Sequence, residues 1–253
     1  MREAWGGLRL AAAFLTRLPV GGGVACDADR LARSLALFPA VGLLLGLLLA
    51  LADAALTAVF PPPVVAGLLL LLLVALTGGL HLDGLADTVD GLSGGRDRES
   101  ALRIMKDSRV GALGATALVL DLLLHWLCLW SLPAGIRAAG LTLMPAAGRW
   151  AQVALASTCR YARAEGGTGA VFVEKAGDRE LVLATLTLAV AAVALGGWRG
   201  AALLLPLALT VLLLRRFFLR RLDGVTGDLL GAATEVAEIV VLLALLALFR
   251  QSP

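Results

Sequence analysis

The chain has 253 residues, of which 59% are hydrophobic and only 16% charged, and its mean hydropathy is +0.89. That is more apolar surface than a soluble domain of this size can bury, which excludes a water-soluble globule. A composition rich in Leu, Ala, Val and Gly and poor in aromatics fits an all-α, polytopic integral membrane bundle whose helices approach through small residues.

Residues 1–33 lack the order of a cleaved signal peptide, and Leu8 to Val20 is apolar enough to lie at the interface, so this segment is expected to be retained as a cytoplasmic or interfacial one. Seven runs then approach the roughly 20 apolar residues that cross a hydrocarbon core. They are 34–59, 64–80, 110–131, 139–159, 180–196, 201–214 and 229–249, the sixth being short. Pro61, Pro62 and Pro63, and later Pro133, break the helical pattern in short turns.

The alternate connections, 81–109, 160–179 and 215–228, are longer and basic. They hold Arg96, Arg98, Arg103, Lys106 and Arg109, then Arg160, Arg163, Lys175 and Arg179, then Arg215, Arg216, Arg220 and Arg221. The opposite connections carry only Arg137 and Arg199, with Arg250 near the C-terminus. The positive-inside rule therefore places the long connections, and a basic N-terminus, in the cytoplasm. Cys26, Cys128 and Cys159 are isolated and read as packing residues. No linker divides the chain, so 1–253 is expected to form a single integral membrane domain.

The densest polar cluster is H-L-D-G-L-A-D-T-V-D-G, His81 to Gly91. On a helix Asp83, Asp87 and Asp90 fall within an arc of about 60°. Three like charges on one face repel, and a hard divalent cation such as Mg²⁺ offsets that. His81 abuts them and is a candidate base. R-I-M-K-D-S-R-V-G follows, Arg103 to Gly111, where Lys106, Ser108 and Arg109 offer donors suited to phosphate oxygens. Asp107 is placed to pair with Arg103 one turn earlier. These features make 81–109 the expected catalytic loop.

In T-G-D-L-L-G-A-A-T-E-V-A-E, Thr226 to Glu238, Asp228, Glu235 and Glu238 share an arc of about 80° on a helix. Glu235 and Glu238, like Arg149 in the fourth span, carry charge at membrane depth and are functional candidates on that ground. Asp53 and Asp121 are intramembrane acids that each stand alone, and His125 reads as a packed polar residue. Leu82-Asp83-Gly84 recurs as Leu222-Asp223-Gly224, either a trace of a repeat or chance.

Together these motifs resemble the adenosylcobinamide-GDP ribazoletransferase, or cobalamin-5′-phosphate synthase, family. The resemblance runs through F-L-T-R-L-P (Phe14 to Pro19), F-P-A-V-G-L-L-L-G (Phe38 to Gly46), T-G-G-L-H-L-D-G-L-A-D-T-V-D-G-L (Thr77 to Leu92), I-M-K-D-S-R-V-G (Ile104 to Gly111) and T-G-D-L-L-G-A (Thr226 to Ala232). It implies a Mg²⁺-dependent transferase of cobalamin biosynthesis in the bacterial inner membrane, active face cytoplasmic. In that reaction a ribosyl hydroxyl of α-ribazole, or of its 5′-phosphate, attacks adenosylcobinamide-GDP and GMP leaves.

Carried onto this chain, Asp83, Asp87 and Asp90 would hold the metal, and Lys106 and Arg109 would steady the diphosphate. One aspartate or His81 would take the proton. Ser108, Arg149, Asp228, Glu235 and Glu238 complete the expected substrate-binding set. Two departures stand out: Asp223 replaces a glycine of the family's usual R-L-G-G, and A-E-G-G-T-G at Ala164 to Gly169 only approximates a glycine-rich stretch. The expected partners are the two substrates and the bilayer, without nucleic acid, and a homo-oligomer is compatible with the sequence. The competing readings are a CDP-alcohol-type phosphotransferase and, less well supported, an ion-coupled transporter.

Overall fold

The computed structural model describes residues 2–167 and 169–249, so Arg250 and Thr168 of the glycine-rich loop lie outside the described residues. It is all helical: α1 (Arg2–Leu15), α2 (Ala28–Ser34), α3 (Phe38–Leu56), α4 (Pro62–Thr77), α5 (Leu80–Gly94), α6 (Arg98–Ile104), α7 (Ala112–Ser131), α8 (Ala134–Thr158), α9 (Ala170–Lys175), α10 (Asp178–Ala202), α11 (Leu204–Leu222) and α12 (Gly227–Leu248). Most of each of the seven apolar runs is helical, in α3, α4, α7, α8, α10, α11 and α12 in turn. Four stretches, Ala28–Leu56, α7, α10 and α12, are long and apolar enough to cross a membrane, and the pair α4–α5 passes the same test jointly but bends by 88°. Leucines and valines such as Leu51, Leu71, Val119, Leu186, Val190 and Leu212 face outward on these helices, as lipid contact requires.

Several boundaries differ from the expectation. The connection 81–109 contains α5 and α6, and 160–179 contains α9. The sixth run stays short, but its helix does not end with it: α11 continues through Arg215, Arg216, Arg220 and Arg221, which were expected in a connection. Straight-stemmed arginines are good helix formers, so charge alone did not end the helix. In α10 the fifth run stops at Gly197, whose φ of 58° kinks the helix.

Close approach organises the core. On α3, Gly42 and Gly46 lie one turn apart, and a Cβ on either would sit 2.5 Å from backbone atoms of α8. This is the small-xxx-small seam that compensates, in lipid, for the missing hydrophobic drive between helices. Gly84 of α5 lies against α12 likewise: its Cβ would meet the Asp228 carbonyl oxygen at 2.7 Å. Asp53 and Asp121 do not stand alone. Asp53 accepts from Arg137 Nε at 2.8 Å across the α3–α8 contact, and Asp121 lies beside His125.

Candidate active site

The acidic helix is aimed by the turn before it. Gly78 and Gly79 both adopt left-handed backbone, φ 66° and 71°, which glycine enters without steric cost. They close α4 and redirect the chain into α5, which we read as the polar arm outside the hydrocarbon. Arg17 braces this turn by donating its backbone N–H to the Leu76 carbonyl at 2.8 Å.

On α5, Asp83 is exposed and Asp87 half-buried. The glycine contact of α5 with α12 brings Asp228, in the first turn of α12, to the same place. Burial pushes the Asp87 carboxyl up to about 6, the charges of Asp83 and Asp228 push the same way, Arg163 opposes them and Asp90 adds a smaller push. Arg163 donates to Asp228 Oδ2 at 2.7 Å, and Thr226 Oγ1 donates to the same oxygen at 3.2 Å. Asp83, Asp228, His81 and Gln152 line a cleft of about 170 Å³ whose other wall is Phe14, Phe38 and Phe172. An oxygen-only set with more negative charge than Arg163 can balance fits a hard cation.

Asp90 has a different engagement. Its two oxygens accept from the backbone N–H groups of Gly111 at 2.7 Å and Gly114 at 2.8 Å. Gly111 is the cap residue of α7 and has no side chain to do this; Asp90 supplies the missing acceptor from another helix, where a carboxylate is also favoured by the helix dipole.

The other expected residues scatter. Lys106 is exposed and paired with Glu165, and Ser108 and Arg109 are exposed. Asp107 accepts from Arg109 at 3.0 Å, not from Arg103: α6 ends at Ile104, so the one-turn spacing is lost. Arg149 is fully buried and finds an acidic partner in Glu238. His81, also buried, sets Nδ1 3.4 Å from the Arg149 guanidinium. Glu235 is buried with them, away from Asp228. Asp223 closes α11 in left-handed backbone, φ 58°, and pairs with Arg160. That conformation explains why glycine suits the position, and it sets Asp223 apart from the helical Asp83 of the tripeptide echo.

Arg163 was read from sequence as a topology signal. Its role arises because Ala162 and Val225 hold the loop to the start of α12: the Ala162 N–H donates to Val225 O, and the Val225 N–H to Arg160 O, both at 2.9 Å. No local spacing marks a contact between residues 65 positions apart. Asp121 and His125 form a second group, and their one-turn spacing on α7 is visible in the sequence. Together with Glu235 of α12 they place ligand atoms within 4.8 Å of one another, a buried group that could hold a metal ion.

The fold and these sites define an integral membrane protein of several spans with an acidic cleft at one end of its bundle. The family model described as cobalamin-5-phosphate synthase (CobS) matches residues 7–246. Among curated relatives, adenosylcobinamide-GDP ribazoletransferase of Chlorobaculum tepidum is 44% identical, covering 93% of this chain and 92% of its own. That of Ectopseudomonas mendocina is 46% identical, covering 94% and 97%, and that of Desulforamulus reducens 41%, covering 94% and 95%. The chain belongs to the cobalamin-5-phosphate synthase family. No solved structure matches it.

Proposed function

We propose that the chain carries out the reaction for which its relatives are named, joining adenosylcobinamide-GDP to α-ribazole or its 5′-phosphate with release of GMP, at the cleft between α5 and α12. The observation that carries the siting is the convergence of Asp83, Asp87 and Asp228 on one place, with burial and mutual repulsion holding Asp87 near 6. Asp83, Asp87 and Asp228 would hold Mg²⁺, with Asp90 fixing α5 to the start of α7. A bound Mg²⁺ supplies charge neutralisation for the diphosphate and the leaving GMP. Arg163 orients Asp228, and Lys106, Ser108 and Arg109, at the entrance to α7, would steady outer phosphate oxygens. An aspartate of the cluster, or His81 at the cleft wall, takes the hydroxyl proton.

The cluster lies at the end of the bundle where the long basic connections gather, which supports a cytoplasmic active face in the bacterial inner membrane. The whole chain, as one membrane domain, would serve this site. Purified protein in liposomes, given adenosylcobinamide-GDP, α-ribazole and Mg²⁺, is expected to release GMP, and Asp83→Asn to lower that release by about a hundredfold or more with the circular dichroism unchanged. Full turnover by Asp83→Asn would refute the metal assignment.

A further inference from the structure

Inside the bundle, α7 and α12 build a second charged site. Asp121, His125, Glu235 and Glu238 are all buried, as is Arg149. Three carboxylates there face one guanidinium, and Arg149 is committed to Glu238. Asp121 and Glu235 therefore have no fixed cation. With all three ionised, even a protonated His125 leaves one negative charge over, and because an uncompensated carboxylate at membrane depth costs several kcal/mol, a proton or a bound cation must answer it.

The polar atoms are also incompletely used. His125 Nδ1 lies 3.1 Å from the Asp121 carbonyl oxygen. Its Nε2 has no hydrogen-bond partner and stands 3.6 Å from Glu238 Oε2. Asp121 Oδ2 is 3.2 Å from Nδ1, within ion-pair range, yet makes no hydrogen bond. A small cavity of about 20 Å³, lined by His81, His125, Arg149, Glu235 and Glu238 together with leucines and a valine, adjoins them. That is room for one water-sized occupant. His81 lines both this cavity and the acidic cleft and so stands between the two.

We infer that Asp121, His125 and Glu235 bind one divalent ion of the Zn²⁺ type, distinct from the metal of the acidic cleft, and that this ion ties α7 to α12. Two carboxylates and an imidazole from two helices form the donor set. The imidazole selects against Mg²⁺ and Ca²⁺, which take oxygen, and suits Zn²⁺ and its neighbours. The tie has a consequence for the cleft, because α12 carries Asp228 and α7 is the helix that Asp90 caps.

The inference does not depend on the proposed reaction, and its test reads metal rather than turnover. Full-length protein, purified through a tag without histidine and desalted, is expected to retain about one equivalent of Zn²⁺ per chain by mass spectrometry. Asp83→Asn/Asp87→Asn protein keeps that ion, whereas His125→Gln and Asp121→Asn lose it. Because those two variants risk misfolding, wild-type protein stripped by chelator and reloaded with Co²⁺ provides a second readout. It should show the visible bands of nitrogen and oxygen ligation and recover the thermal midpoint that stripping lowered. Wild-type protein that holds no ion and takes up neither Zn²⁺ nor Co²⁺ overturns the inference. So does an ion that leaves with the Asp83 and Asp87 substitutions and stays with those of Asp121 and His125.

Discussion

The polar end of the bundle and its interior both gather more carboxylates than cations, yet they differ in what surrounds the charge. At the end, Asp83 is exposed and Asp87 half-buried, so water screens the repulsion and the cluster can wait for its substrate and metal. In the interior, Asp121, Glu235 and Glu238 are shut away from solvent, and the charge must be answered within the protein itself. The same side chains thus serve exchangeable chemistry in one place and fixed architecture in the other. Solvent access, more than residue type, divides the two.

The interior half of this contrast gives the largest expected effect on stability. Arg149→Met should leave Glu238 buried and unpaired and cost about 3–5 kcal/mol, seen as a lowered thermal midpoint in detergent; an unchanged midpoint would remove Arg149 from the interior framework. Next comes the joint between the regions. Asp90→Ala removes the acceptor of two N–H groups at the start of α7 and should cost about 1–2 kcal/mol. Glycine residues cannot replace that cap, so Asp90→Asn should recover only part of the loss.

The smallest effect concerns protons at the polar end. With Asp87 held near 6, protons compete with the metal as pH falls through that value, so Mg²⁺-dependent turnover should drop on the acid side. Arg163 lowers the Asp87 value, so Arg163→Gln should move this acid limb to higher pH by a fraction of a unit. A shift to lower pH would mean that Arg163 does not face Asp87.

The sequence exposed what is local. Helical spacing put Asp83, Asp87 and Asp90 on one face, and the apolar runs located α3, α4, α7, α8, α10, α11 and α12, but not α5, the helix that carries those aspartates. Pairing between helices was not readable that way. Arg163 meets Asp228, Arg137 meets Asp53 and Arg149 meets Glu238 across 65, 84 and 89 residues, and no periodicity encodes such distances. Glycines came nearest to doing so: Gly42, Gly46 and Gly84 mark where backbones touch, but not which backbone each one meets. Asp90 illustrates the remaining ambiguity, since its spacing suits a metal while its oxygens are bound by Gly111 and Gly114.

The claim on which the rest depends is that Asp87 touches the metal at the polar end. Its most direct test is Asp87→Cys in liposomes, with GMP release followed in Mg²⁺ and again with Cd²⁺ added, because a thiolate prefers the softer ion. The expected result is loss of turnover in Mg²⁺ and partial recovery with Cd²⁺ that the wild type does not show. Full turnover of Asp87→Cys in Mg²⁺ alone would contradict it.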